Sequence, residues 1–226
     1  MSTKKSILLS VAKKYSFFKK LYFFYNIYIR NYKFLFKSSQ FGEEKKILRF
    51  FKKDFKGTYV DLGCFHPTRL NNTFQLYKKG WSGINIDLNP LTIELFNYAR
   101  PLDINICSVV SNSRKNKKLY FLGDLDSKNT LDLNHKNWLS RHFKIKEKDF
   151  KIKKIKSKTL GDILKENSLF KIDFLNIDIE GHELEVLRSL DFRKFNINTI
   201  CVEIINFNKQ SCLLYTSDAA DDWSCV

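Results

Sequence analysis

From residue 57 onward the chain alternates between two rhythms of apolar and polar positions. Thr58–Leu62 is a short apolar run closing on Asp and Gly, residues 73–79 carry apolar side chains at helical spacing, and Ser82–Asp87 alternates as a strand. Together they predict one strand–helix–strand unit. Residues 91–98 follow Pro90 with helical spacing, and residues 104–110 are β-branched and apolar, a third strand. After a less regular excursion over 119–160, in which Phe150 and Ile152 are spaced as on one strand face, residues 172–178 predict a fourth strand. A helix over 183–190 and a fifth strand over 199–205 follow. Strands alternating with helices imply an α/β, Rossmann-like, mostly parallel and doubly wound sheet.

The flanks have a different texture. Residues 15–36 interleave large aromatics with Lys and Arg, a pattern that suits either a pair of helices capping the domain or an interfacial helix on an anionic membrane. We therefore divide the chain into a basic aromatic helical segment (1–40), a catalytic domain (41–206) and a tail (207–226). The string SCLLYTSDAADDWSCV contains no lysine and continues none of the earlier patterning. It reads as translated adapter sequence, so the expectation is a sheet lacking its last C-terminal strands.

Composition narrows the class. Apolar residues at 43% and aromatics at 15% exclude wholesale disorder, and three prolines and eight glycines leave no flexible linker. The net charge of +16 is concentrated in two islands, +12 over residues 1–56 and +10 over 114–158, which leaves the remainder at −6. Such islands attract phosphate on nucleic acid, anionic lipid or a phosphorylated carrier; a lysine-rich composition that merely solvates the surface gives the same counts. Five cysteines without framework spacing suit a reducing cytoplasm, and the apolar run 7–12 after Lys4 and Lys5 is too short for a secretory signal. The expected location is cytoplasmic, with peripheral membrane contact through residues 1–56.

In an open α/β sheet, ligands bind at the carboxyl ends of the strands, which selects three segments. The loop VDLGCFHP places Asp61 and Gly63 at the end of the first strand, where a glycine permits a sharp turn. It holds a single glycine, so the Gly-rich cradle for pyrophosphate is absent. Asp87 ends the second strand, where a carboxylate can accept hydrogen bonds from both hydroxyls of a ribose. A nucleoside without pyrophosphate indicates S-adenosylmethionine. The third segment, FLNIDIEGHELEVL, delivers Asp178 and Glu180 to the same edge, while Glu183 and Glu185 suit the positive end of a helix.

These segments, with SKNTLD at 127–132, KTLGDIL at 158–164 and CVEI at 201–204, resemble the FkbM-type methyltransferases over roughly residues 41–206. The resemblance implies a class I methyltransferase fold and O-methylation of a sugar, glycan or small metabolite. It implies S-adenosylmethionine held by Asp61, Gly63 and Cys64 of the first loop and by Asp87 with Leu88. Cys64 stands where members commonly carry a smaller residue.

Methyl transfer to a hydroxyl needs a general base. Asp178 and Glu180 are the first candidates, and His66 and then His182 follow because imidazole titrates near neutrality. No metal site is assigned, although carboxylates beside histidines also suit a divalent ion. The rival readings are an RNA methyltransferase using the cationic islands, and a non-catalytic membrane- or RNA-binding protein on the same fold.

Overall fold

A computed structural model describes residues 15–39, 42–124, 126–206, 209–216 and 224–225. Helix α1 (Ser16–Phe24) runs on into a wider π-type turn over Tyr25–Arg30 and a 3-10 turn over Tyr32–Leu35. Helix α2 (Glu43–Arg49) then leads to the first strand. The strand–helix–strand core follows as β1 (Thr58–Leu62), α3 (Phe74–Lys78), β2 (Ser82–Asp87), α4 (Pro90–Ala99) and β3 (Ile104–Cys107). Helix α4 starts where it does because Asn89 Oδ1 accepts from Leu91 N at 3.0 Å and Pro90 occupies the first turn.

The run at 104–110 divides instead of forming one strand. Ser108 N bonds to Asp87 O, and the chain then leaves the main sheet as β4 (Val109–Val110). The excursion is more regular than its sequence suggests. It contains β5 (Asn116–Phe121), α5 (Leu133–His142) and β6 (Lys151–Lys158), with β6 antiparallel to β5 and parallel to β4. Its strands escape pattern reading because β6 is exposed at nearly every position, so no apolar face alternates.

Helix α6 (Leu160–Glu166) opens on a capping box in which Thr159 and Asp162 satisfy each other's backbone N–H. Strand β7 (Lys171–Ile177), α7 (Glu183–Ser189) and β8 (Asn196–Asn206) complete the parallel series. The main sheet has the order β3-β2-β1-β7-β8, parallel throughout.

The expectation that the sheet ends near residue 206 is corrected. Strand β9 (Lys209–Thr216) lies antiparallel along β8 from Asn206↔Lys209 to Thr199↔Thr216, and β10 (Ser224–Cys225) pairs with β9. The outer edge of β8 offers a row of unpaired backbone donors and acceptors, and an extended segment that follows it directly satisfies them.

Side chains alternate across the sheet as the pleat requires. Val60, Leu62, Leu175 and Ile177 enter the core shared with α6 and α7, whereas Tyr59 and Phe174 pack with Ile47, Leu76 and Trp81 on the other side. Helix α1 docks through Tyr22, Phe23 and Ile27 against Leu91 and Leu95 of α4. No described helix is long and apolar enough to cross a membrane.

Candidate functional site

Strand β1 is flanked by β2 and β7, so the order reverses there and the carboxyl ends of β1 and β7 frame a crevice. A cavity of about 360 Å³ fills this position, lined by residues from the ends of β1, β2 and β7 and closed on one side by α5 and the loop before it. Gly63 is required by the approach of β1 to β7: its φ is +81°, and a Cβ would stand 1.7 Å from Asp178 O. No side chain fits.

The first-loop residues separate into two groups. Gly63 and Phe65 line the cavity, and Asp61, Cys64 and His66 do not. Asp61 is buried beneath the loop, where Oδ2 accepts from Thr73 Oγ1 at 2.7 Å and Asn71 Nδ2 at 2.9 Å, and Oδ1 accepts from Asn176 Nδ2 at 2.8 Å. Thr73 therefore spends its hydroxyl on Asp61, not on capping α3. Behind it lies Arg100, fully buried, which donates to Thr73 Oγ1, Asn71 Oδ1 and Pro67 O and sits among the rings of Phe74, Tyr77 and Phe96. Cys64 packs with Ile93 and Phe96, and burial pushes its thiol pKa up.

His66 also serves the loop. Its Nδ1 accepts from Arg69 N at 3.0 Å and Thr68 N at 3.2 Å, which places the ring proton on Nε2. Burial and nearby arginines lower its pKa to about 3. A neutral ring whose acceptor nitrogen is already used cannot collect a proton from an acceptor, so geometry removes His66 from the general-base candidates.

Asp87 is held from behind and left open in front. Its Oδ1 accepts from Asn89 N at 2.7 Å and its Oδ2 from Phe65 N at 3.0 Å, and the residue lines the cavity with Leu88. Burial raises its pKa to about 6. Beside it Asn89 Nδ2 is buried with no hydrogen-bond partner among the described residues, although Asn89 also lines the cavity.

The opposite wall holds the candidate bases. Asp178 is hydrogen-bonded to Glu203 of β8, and burial together with that neighbour raises its pKa well above the carboxylate range. Two carboxyls at such range hold a proton between them. Glu180 follows in a left-handed conformation (φ +59°), fixed through its carbonyl, which accepts from Thr130 Oγ1 at 2.7 Å and His135 Nδ1 at 2.6 Å. Since a carbonyl only accepts, His135 Nδ1 carries a proton. In the neutral ring, Nε2 is then a bare acceptor, 3.4 Å from Glu180 Oε2 and short of a hydrogen bond. Burial lowers the pKa of His135, while burial and Asp178 raise that of Glu180 well above its ordinary value.

Glu183 is structural: its Oε1 accepts from Ile179 N and Gly181 N, closing the loop that carries Glu180. His182 lines the cavity but its Nε2 is engaged by Ser111 Oγ at 2.8 Å. Asn72 lines it too, donating to Asn176 Oδ1 at 3.0 Å. Among the described residues, no three His, Cys, Asp or Glu side chains are arranged to hold a metal ion.

Among the lining residues that the sequence did not single out as site residues are Asn89, His135, Trp138 and Glu203. His135 had one local signal, Asp132 three positions earlier, which caps α5 by accepting from His135 N. The Asn129 side chain bonds to Leu122 N, Gly123 O and Asp126 O, so much of the SKNTLD segment shapes the loop that holds Glu180.

Parallel strands wound on both sides of β1, with a cavity at the switch point, define a Rossmann-like α/β protein whose ligand crevice lies between β1 and β7. The model of the methyltransferase FkbM domain matches residues 57–223, and the chain belongs to that methyltransferase family. The match reaches beyond residue 206 and covers β9. No curated protein and no solved structure matches the chain.

Proposed function

We propose that the chain moves the methyl group of S-adenosylmethionine onto a hydroxyl oxygen of a sugar, glycan or small metabolite. The observation that carries this reading is the acidic composition of the cavity lining. In a chain of net charge +16, its lining holds Glu43, Asp87, Asp126, Asp178, Glu180 and Glu203 against a single cation, Lys128. Such a lining repels phosphate and suits a cationic ligand with hydroxyl donors.

The donor set fits an adenosyl sulfonium. Asp87 keeps lone pairs for a ribose diol, the orphaned Asn89 Nδ2 needs an acceptor, and Leu88 with Val109 supplies an apolar wall. Asp87, Leu88 and Asn89 would hold the nucleoside. When bound, the cofactor would supply an electrophilic methyl group and leave as the neutral thioether once its sulfur–methyl bond breaks.

Proton removal falls to Glu180. Its raised pKa, a consequence of burial and of Asp178, makes it a stronger base than an exposed carboxylate. Asp178 is less suited, because its proton is shared with Glu203. His135 positions Glu180 through its Nδ1–H bond to the Glu180 carbonyl. Trp138 and Phe143 form an aromatic wall on the α5 side, a surface for the apolar face of an acceptor.

Calorimetry with S-adenosylmethionine tests the cofactor assignment, and absence of binding would sink it. Transfer of a labelled methyl group to sugars and hydroxylated metabolites tests the acceptor class, with Glu180→Gln as the inactive control. Salt-sensitive methylation of RNA in the same assay would transfer the acceptor reading to the rival, through the exposed lysines of β6.

A further inference from the structure

A second surface, remote from the chemistry above in what it could recognise, lies at the N-terminal end of the described chain. Helix α1 and the turns after it are apolar on both sides. One side, with Tyr22, Phe23 and Ile27, is buried against α4, and Lys19 pairs with Glu94 of α4 at 2.7 Å. The other side is equally aromatic and faces outward. Phe17, Leu21, Phe24, Tyr28 and Tyr32 recur at three- and four-residue intervals, and all five are exposed, Phe17 at 68% and Tyr32 at 62%. A helix apolar all round is normally covered all round. Contiguous exposed apolar surface of this kind marks an interaction site.

The charges beside the stripe identify what covers it. Lys20, Arg30, Lys33 and Lys37 are exposed in the same segment, and residues 15–39 contain no acidic side chain. Aromatics at helical spacing flanked only by cations match the boundary of an anionic bilayer, where rings enter the headgroup region and lysines meet lipid phosphate. A protein partner of ordinary mixed charge would not call for this one-sided composition. We propose that the stripe from Phe17 to Tyr32 seats the protein on the surface of an anionic phospholipid membrane. The segment lies in the plane of the interface and does not cross it, since no described helix is long and apolar enough to span.

The test is co-sedimentation of the full chain with vesicles of phosphatidylcholine alone and with about one-third phosphatidylglycerol. Binding to the anionic vesicles, weakened by salt, and little binding to the neutral ones is the expected result. Phe17→Ser with Phe24→Ser should lower the vesicle partition roughly tenfold or more, and Lys20→Glu with Lys33→Glu should do the same while flattening the salt dependence. All four side chains are exposed, so both variants should keep the parent's melting temperature. Lys151→Glu with Lys154→Glu, on exposed positions of β6, controls for overall charge. The proposal falls if the parent chain ignores anionic vesicles, or if the β6 variant loses as much binding as the α1 variants. It also falls if analytical ultracentrifugation shows a dimer that Phe17→Ser with Phe24→Ser abolishes, since the stripe then serves a second copy of the chain.

Discussion

Asp61 and Asp87 end neighbouring strands, both at the carboxyl edge of the sheet, yet they have opposite surroundings. Asp61 accepts three hydrogen bonds from Asn71, Thr73 and Asn176, and Arg100 stands behind two of those donors. Asp87 accepts two backbone N–H groups and faces a cavity. The first is a closed network that holds the loop; the second is an open one that can bind. A buried polar group with every partner in place contributes stability and specificity, whereas one left with spare lone pairs is costly until a ligand completes it.

The sharpest way to break the comparison is at the open end. Glu180→Gln should lower kcat roughly 10²- to 10⁴-fold with S-adenosylmethionine affinity unchanged. A variant keeping more than a tenth of parental turnover would move the base elsewhere. The same substitution carries a stability signature. The pKa of Glu180 is raised on folding, so its contribution to stability is present at acid pH and lost as pH rises through the raised value. Glu180→Gln should therefore stabilise the chain above neutrality and leave it unchanged at pH 4, measured by urea unfolding at both.

Next comes the closed network. Arg100→Met removes a buried cation that satisfies Asn71, Thr73 and Pro67, and should cost about 3 to 5 kcal/mol in chemical denaturation. A loss below about 1 kcal/mol would mean that the network is not what holds the loop.

Asp87→Asn should weaken S-adenosylmethionine binding about tenfold by calorimetry, through loss of charge-assisted hydrogen bonds. Parental affinity should also fall as pH drops through about 6, where Asp87 takes up a proton, and the variant should lose that dependence. Affinity that ignores pH in both proteins would detach Asp87 from the cofactor. The smallest effect is expected at Asn89: Asn89→Ala removes the α4 cap and should cost about 1 kcal/mol, or a few degrees of melting temperature. Asn89→Asp should restore the cap but not the orphaned donor.

Legibility in the sequence followed the same division between local pattern and long-range contact. The βαβ rhythm from Thr58 to Asp87, the strands at 172–178 and 199–205, and the helix at 183–190 were readable because each buries regularly spaced apolar side chains in the cores on the two sides of the sheet. The small sheet of β4, β5 and β6 was not, because β4 is only two residues long, β5 buries only Leu119 and Tyr120, and lysine-rich β6 is exposed at nearly every position, so none of them carries a periodic signal. Strand β9 was missed for a related reason: its place comes from the open edge of β8. Asp61 and Asp87 look alike in sequence, and His66 looks more reactive than His135. Only contacts reversed those impressions, since His66 is spent on Arg69 N and Thr68 N, while His135 meets Glu180 across 45 positions.

By itself the sequence determined the α/β class, the strand ends at Asp61, Asp87 and Asp178, and the glycine at 63, because these follow from local periodicity and backbone conformation. The tertiary structure alone decided which carboxylates are satisfied and which face the cavity. It also paired Asp178 with Glu203 and left an aromatic stripe uncovered on α1. Hydrogen-bond satisfaction and burial depend on partners that arrive from distant positions in the chain, and no local pattern of residues encodes them.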